Sequence, residues 1–164
     1  MTSIMTKSTM LNIFVLIAIF GSIGLGNCVL LTKSVVCPVP TDCTGLYIAD
    51  DIAYISSYSS GAKAVRLGDS TPSDDPLADY CANELCISGK HVYLAGSDEN
   101  KLYIVNAGTG SLEGQWDEDS DAFGLNGVCV SGDYAYVLEA KDISGLDPKI
   151  IVLNIQNPAD IGDN

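Results

Sequence analysis

The stretch GVCVSGDYAYV, residues 127–137, decides the fold. Apolar and aromatic residues typical of strands flank Ser-Gly-Asp, where glycine supplies the positive φ of a tight hairpin turn. LCISGKHVYL at residues 85–94 is a looser copy, and LYIADDIAYI at residues 46–55 is a weaker one with a less well specified turn. Leu46 and Leu85 are 39 residues apart, and Leu85 and Val128 are 43 apart. This spacing is the period of a propeller blade.

A third apolar strand follows each hairpin after a loop of variable length, at residues 62–67, 101–106 and 149–154. Residues 112–116 are the best candidate for a fourth strand. Helical spacing does not persist beyond the N-terminal segment. We therefore predict an all-β fold, a partial β-propeller of about three antiparallel blades, preceded by an N-terminal hydrophobic helix. The predicted organisation is a leader at 1–31, a Cys/Pro-rich linker at 32–44 and three repeats at about 45–80, 81–121 and 122–164.

Three blades do not close a ring, because propellers normally have four to eight. Three alternatives follow. The chain is a fragment of a longer propeller, or protomers assemble, or the blades stack as an open solenoid with exposed ends.

The N-terminal segment has the pattern of a secretory leader: Lys7, an apolar run over residues 11–20, and small residues up to Gly26. Three outcomes remain open. Cleavage after Gly26 releases the chain, retention anchors it in the membrane, and lipidation at Cys28 is opposed by Asn27, where lipoprotein signals carry Gly, Ala or Ser. Each outcome predicts an extracellular or cell-surface location.

The charge balance excludes one class of partner. The chain has a net charge of −13, with 21 acidic and 8 basic residues. Phosphate backbones repel such a surface, and the basic residues needed for counterion release are few. We therefore expect no nucleic-acid binding, and membrane contact only through a retained N-terminal segment.

Six cysteines in an exported chain favour disulfides over a metal site, since no C-x-x-C pair exists and His91 is the only histidine. Pairs considered are Cys37–Cys43, Cys81–Cys86 and Cys86–Cys129, and the sequence does not decide between them. The candidate disulfide cysteines are Cys37, Cys43, Cys81, Cys86 and Cys129.

The third unit also resembles a known repeat. Its hairpin, followed by IIVLNIQNP at residues 150–158, is similar to the LVIVD repeat, which pairs V-x-G-x-Y-A-Y-V with L-x-I-I-D-V-S-N-P. The second unit has Asn-Ala-Gly-Thr-Gly at 106–110 in place of the Asn-Pro ending, and the resemblance covers about residues 45–162. It implies a β-propeller on the surface of bacteria or archaea, usually without a defined activity, and it brings no catalytic residues.

Tyr54, Tyr93 and Tyr136 share one register of the repeat. A ring of tyrosines that stacks a sugar or a peptide is one interpretation, but a repeated register is typical of packing between blades, which we expect. Asn106 and Asn154 close equivalent strands, where a side-chain amide can bond the following turn. His91 has no partner set for catalysis that spacing reveals.

Asp117, Asp119 and Asp121 alternate in the loop before the third unit and form the candidate metal site. Alternating carboxylates can converge on calcium, which takes six to eight oxygen ligands. The helix-loop-helix calcium motif requires Gly at its sixth position and Glu at its twelfth. Counted from Asp117, these positions hold Ala122 and Val128, so this motif is excluded. A solvated acidic loop is the alternative reading, and we expect no other cofactor.

These observations favour a non-catalytic exported propeller module with a binding or structural role at the cell surface. Its expected partners are a surface protein or glycan, or further copies of the chain. The alternative is a fragment of an extracellular propeller hydrolase or oxidoreductase with its active site in missing blades.

The calcium hypothesis predicts a shift in thermal unfolding. Calcium at 100 times its dissociation constant stabilises a folded state by about 2.7 kcal/mol through mass action. Millimolar calcium should therefore raise the melting temperature of the wild-type chain, measured by circular dichroism, and have no effect on Asp119→Asn. An unchanged melting temperature in the wild type removes the site.

Overall fold

The computed structural model describes residues 39, 41–67, 76–97, 100–117, 124–139 and 147–161. In this part of the chain ten strands form three separate antiparallel sheets, and the only helical element is a short 3₁₀ turn. The predicted all-β class and its antiparallel blades are confirmed. The N-terminal leader, including Cys28, lies outside the described residues. Within them, no helix is long and apolar enough to cross a bilayer.

Each sheet corresponds to one unit of the sequence repeat and is called a blade here. Neighbouring strands in every blade are consecutive in the chain, as in an antiparallel meander. Blade 1 contains β1 (Cys43–Ala49), β2 (Ile52–Ser57) and β3 (Lys63–Arg66), and blade 2 contains β4 (Ala82–Ser88), β5 (His91–Gly96), β6 (Lys101–Asn106) and β7 (Leu112–Asp117). Blade 3 contains β8 (Leu125–Ser131), β9 (Tyr134–Glu139) and β10 (Ile150–Asn154), followed by the 3₁₀ turn Pro158–Asp160.

The first hairpin of each blade turns at a residue with positive φ. Gly89 and Gly132 have φ of 59° and 58°, as their sequence predicts, and Asp50 takes 52° at the equivalent place in blade 1. Aspartate tolerates this left-handed conformation better than most residues with a side chain. The weaker turn signal in the first unit therefore gives the same hairpin.

Blades 1 and 2 share one apolar core. Side chains alternate between the two faces of a strand, so one face of β5 carries Val92 and Leu94. These residues are buried together with Tyr54 of blade 1 and with Leu85 and Val105 of blade 2. We call this the leading face of blade 2, because it faces the preceding blade.

Blades 2 and 3 share a second core. The opposite face of β5, the trailing face of blade 2, carries Tyr93 and Ala95, and these pack with blade 3 residues such as Val128 and Val137. β8 packs against both β4 and β5, just as β4 packs against both β1 and β2. Each blade is therefore joined to the preceding one mainly through its first strand, and the same interface occurs twice.

The structure does not support the predicted disulfides among Cys81, Cys86 and Cys129, which carry free thiols. Five residues of extended chain put Cys81 and Cys86 roughly 15 Å apart, while a disulfide needs Cα atoms within about 7 Å. Cys86 lies on the trailing face of blade 2, and Cys129 on the trailing face of blade 3, so the backbone of β8 separates their side chains. Cys37 lies outside the described residues, and Cys43 is exposed at the start of β1.

Truncation of Leu85 tests the shared core of blades 1 and 2. Leu85 is buried between these blades, whereas Leu112 on β7 is exposed. Leu85→Ala should lower the free energy of unfolding by about 2–5 kcal/mol, as expected for a fully buried leucine. The matched variant Leu112→Ala should change it by less than about 0.5 kcal/mol. Urea unfolding followed by circular dichroism measures both, and equal effects would contradict the assigned core.

Candidate functional site

The trailing face of blade 3 is exposed at positions that are buried in the other two blades. The tyrosine of the repeat shows this directly: Tyr54 is 4% exposed and Tyr93 2%, whereas Tyr136 is 36% exposed. In blades 1 and 2 the tyrosine lies in the core shared with the next blade, as its register predicts. In blade 3 no described residue covers it.

The residues around Tyr136 make this face continuous and apolar. Strand pairing places Cys129 and Val152 directly opposite Tyr136, and pairs Leu138 with Ile150. Ile150 and Val152 are 69% and 55% exposed. Contiguous exposed apolar surface of this kind is typical of sites that contact a protein, a membrane or a ligand. The exposed large residues of the trailing face are Tyr134, Tyr136, Leu138, Ile150 and Val152.

A polar contact accompanies the apolar packing at each junction between blades. The first strand of every blade has a bulge at the same position, occupied by Thr44, Asn83 and Asn126. Thr44 Oγ1 donates to the Ala82 carbonyl oxygen at 3.1 Å, and Asn83 Nδ2 donates to the Leu125 carbonyl oxygen at 2.9 Å. A bulge re-aims the side chain that it carries, here toward the next blade.

Asn126 is the third member of this series and the only one that the described residues leave without an acceptor. Its side chain is exposed at the bulge of β8. The trailing side of blade 3 therefore has both components of a blade junction, an apolar face and an amide donor, and none of the described residues forms a blade that receives them.

The leading face of blade 1 is exposed only on its first strand. Leu46 and Ile48 on β1 occupy the places that Leu85 and Ile87 occupy on β4, but they are 53% and 42% exposed. Further residues of the same face, Ala53, Ile55 and Val65, are buried. The exposed part of this face is thus its first strand, which is the strand that each following blade uses for packing.

A charged cluster holds the turn end of blade 2 together. Glu113 on β7 accepts hydrogen bonds from Lys90 Nζ at 3.1 Å and from Asn106 Nδ2 at 2.8 Å. Its carboxylate also lies 2.6 Å from His91 Nε2. The bonds from Asn106, His91 and Lys90 lower the pKa of the Glu113 carboxyl from its ordinary 4.5 to about 2. Asn106 Oδ1 accepts from the backbone of Gly108 and Thr109, as predicted for the residue that closes this strand.

A second carboxylate, Asp42, closes the loop after β2. Its oxygens accept from Ser60 Oγ at 2.6 Å and from the Ser59 backbone N–H and hydroxyl at 2.6 and 2.7 Å. These bonds, from Ser60 first, hold the pKa of Asp42 well below its usual range. A carboxylate bound in this way stays ionised at neutral pH and is poorly suited to general acid catalysis.

The remaining titratable group with a strong shift is also unreactive. Burial raises the pKa of the Cys86 thiol to about 12, and the nearby Cys129 adds to the effect. The thiolate is the nucleophilic form of cysteine, so Cys86 stays protonated and inert at neutral pH.

The structure describes only one member of the predicted metal site. Asp117 ends β7, where its Oδ2 lies 3.9 Å from Lys101 Nζ, and Asp119 and Asp121 lie outside the described residues. In the part of the chain that is described, no group of three His, Cys, Asp or Glu side chains could hold a metal ion. The calcium hypothesis stays a prediction.

Sequence reasoning missed the partners of His91 and Asn83. His91 and Glu113 are 22 residues apart, and they meet because β6 lies between β5 and β7. Asn83 and Asn126 each occur two residues before the first apolar residue of their units, a repeated feature of the sequence that could have indicated a shared role.

Comparison with solved structures places the chain among propeller proteins. It superposes on BamB from Moraxella catarrhalis with a TM-score of 0.53 and 15% identity, covering 71% of this chain and 35% of that one. For a europium-containing methanol dehydrogenase the TM-score is 0.53 and the identity 14%, with 73% and 24% covered. A computationally designed protein, Ika4, is similar at a TM-score of 0.49 and 15% identity, with 68% and 65% covered.

The likenesses to BamB and to the methanol dehydrogenase define the class as a β-propeller module. The chain spans less than two thirds of each of these proteins, and the identities show the fold alone. No protein-family model and no curated protein sequence matches the chain.

The Glu113 cluster predicts a stability loss in acid. Because its folded pKa of about 2 lies below the ordinary 4.5, the ionised carboxylate stabilises the fold above about pH 4.5. That contribution is lost as the pH falls from 4.5 to 2. Glu113→Gln should lower the melting temperature at pH 7, and its difference from the wild type should shrink steadily toward pH 2.

Asp51→Asn is the matched control, since Asp51 forms an exposed ion pair with Arg66 that is worth little. Differential scanning calorimetry from pH 7 to pH 2 measures all three chains. If the difference in melting temperature between Glu113→Gln and the wild type does not vary with pH, the stabilising role assigned to the Glu113 carboxylate is contradicted.

Proposed function

We propose that this chain is a non-catalytic β-propeller module that acts by binding at the cell surface. Its binding surface is the trailing face of blade 3, and the occupant is another propeller-type blade. The single observation that carries the proposal is the exposure of Tyr136, since the same residue is buried by a following blade at both other positions.

The geometry of the existing junctions supports a blade as the occupant. A following blade presents a first strand with two inward apolar residues, such as Leu85 and Ile87 of β4, and a main-chain carbonyl such as that of Ala82. The face on blade 3 offers the matching apolar surface and the amide of Asn126. A glycan fits less well, because Leu138, Ile150 and Val152 offer no side-chain hydrogen bonds to sugar hydroxyls.

The electrostatics of the described residues support binding rather than catalysis. The two carboxylates with strongly shifted pKa values, Glu113 and Asp42, are shifted downward by structural hydrogen bonds, and the thiol of Cys86 is shifted upward by burial. General acids and nucleophiles need shifts in the opposite directions. The secretory pattern of residues 1–31 and the LVIVD-like third unit support a location at the surface.

Labelling of intact cells tests the location. The full chain with a C-terminal epitope should bind antibody on unpermeabilised cells, because residues 1–31 direct export. The same chain beginning at residue 32 should bind antibody only after permeabilisation. Both forms must be detected equally in whole-cell extracts. If the epitopes of the full chain and of the shortened chain are equally inaccessible to antibody on intact cells, the surface role is contradicted.

The same cells test the binding face through Cys129. An occupied face protects this thiol from a membrane-impermeant maleimide, and Leu138→Glu, which introduces a charge into the face, should increase its labelling at least several-fold. Peptide mass mapping follows Cys129 separately from the other cysteines. Rapid labelling of Cys129 in the wild type shows that nothing covers the face.

A further inference from the structure

We infer that Asn126 sets the register of the blade that the trailing face of blade 3 receives. Its Nδ2 group donates to a main-chain carbonyl of the incoming blade, at the residue just before the bulge in that blade's first strand. The inference rests on the proposed function and assigns the binding face its specificity-determining residue. The partner that fits the face is therefore a bulged first strand, which is recognised through its main chain.

The two existing junctions define this contact. Thr44 Oγ1 donates to the Ala82 carbonyl oxygen at 3.1 Å, and Asn83 Nδ2 donates to the Leu125 carbonyl oxygen at 2.9 Å. In each pair the donor is the bulge residue of one blade, and the acceptor lies immediately before the bulge of the next blade. A hydroxyl and an amide thus reach the same main-chain position. The contact requires a donor at the bulge and no particular side chain on the accepting residue.

Asn126 supplies this donor on blade 3. It occupies the bulge of β8 and is exposed. In the described part of the chain its amide has no acceptor. The bulge lies next to Leu138 on β9, whereas Tyr136 lies two residues nearer the turn. The trailing face therefore has a polar group at one end and an apolar centre.

The amide adds a directional constraint that the apolar face lacks. Apolar burial is non-directional, so Tyr136, Ile150 and Val152 would accept a strand in more than one position. A slip of one residue moves a strand by about 3.3 Å and turns its side chains to the other face. The Asn126 bond needs a donor–acceptor distance of about 2.7–3.2 Å, so it is kept in one register only.

Three substitutions at Asn126 test the contact in the full chain on intact cells. The readout is the labelling rate of Cys129 by a membrane-impermeant maleimide, since this residue pairs with Tyr136 on the same face. Asn126→Ala removes one hydrogen bond and should raise the rate by about two- to tenfold. Asn126→Asp keeps the shape of the side chain but sets an ionised acceptor against a carbonyl oxygen, so it should raise the rate further. Asn126→Thr restores a donor of the kind that blade 1 uses, and its rate should stay within about twofold of the wild type.

Asn157→Asp is the matched control, because it makes the same chemical change at an exposed asparagine before the 3₁₀ turn, outside the trailing face. It should leave the labelling of Cys129 unchanged. The purified Asn126 variants should keep the circular dichroism spectrum and the melting temperature of the wild type, since Asn126 is exposed. This measurement separates loss of the contact from loss of folding.

Asn83 tests the same contact where the acceptor is known. Because Asn83 Nδ2 donates across an existing junction, Asn83→Asp should lower the melting temperature of the purified chain by about 2–6 °C. Asn83→Thr keeps a donor and should lower the melting temperature by less. An unchanged melting temperature in Asn83→Asp overturns the inference, because the contact that it extends would then have no energetic weight.

The labelling results separate this inference from the proposed function. Rapid labelling of Cys129 in the wild type overturns both together. Slow labelling that Asn126→Ala and Asn126→Asp leave unchanged overturns the register role alone, and the binding face then stands. Equal labelling rates for Asn126→Thr and Asn126→Ala also overturn the inference, since a donor at the bulge would then have no effect.

Discussion

The structure depends on the packing of each tyrosine-bearing hairpin against the first strand of the next blade. A single three- or four-stranded sheet has two apolar faces and no helix to cover either one in the described residues. Tyr54 and Tyr93 are buried in the cores that their blades share with the next blade, whose first strands are β4 and β8. Burial of a large aromatic side chain contributes on the order of 2–3 kcal/mol, so the blades stabilise one another as neighbours in a repeat array.

The sequence predicts what repeats along the chain, because repetition shows a residue's role without knowledge of its contacts. The glycine turns, the strand-closing Asn106 and the fourth strand of blade 2 are confirmed. The tyrosine register is confirmed as a packing position for Tyr54 and Tyr93, whereas Tyr136 is exposed. The third strand of the first unit is harder to align. Strand pairing puts Arg66 in the place of Asn106, so the apolar run of residues 62–67 is displaced by one residue from its apparent match.

Contacts between distant residues of unrelated type could not be predicted. His91 and Glu113 meet across an intervening strand, and nothing in their spacing distinguishes this pair from any other histidine and acid. The predicted Cys86–Cys129 disulfide is not supported, for a related reason. Cys86 and Cys129 occupy the same place in successive blades, and equivalent residues of stacked sheets point in the same direction rather than toward each other.

That shared direction also explains why the two ends of the array are complementary rather than alike. At both described junctions the leading face receives a tyrosine and a side-chain hydrogen-bond donor, the Thr44 hydroxyl or the Asn83 amide, from the blade before it. An array built in this way has a direction, because the leading and trailing faces of a blade carry different groups. The proposed binding of another blade's first strand at Tyr136 follows from this direction, because the trailing face of blade 3 carries the groups that blades 1 and 2 present to the blade after them.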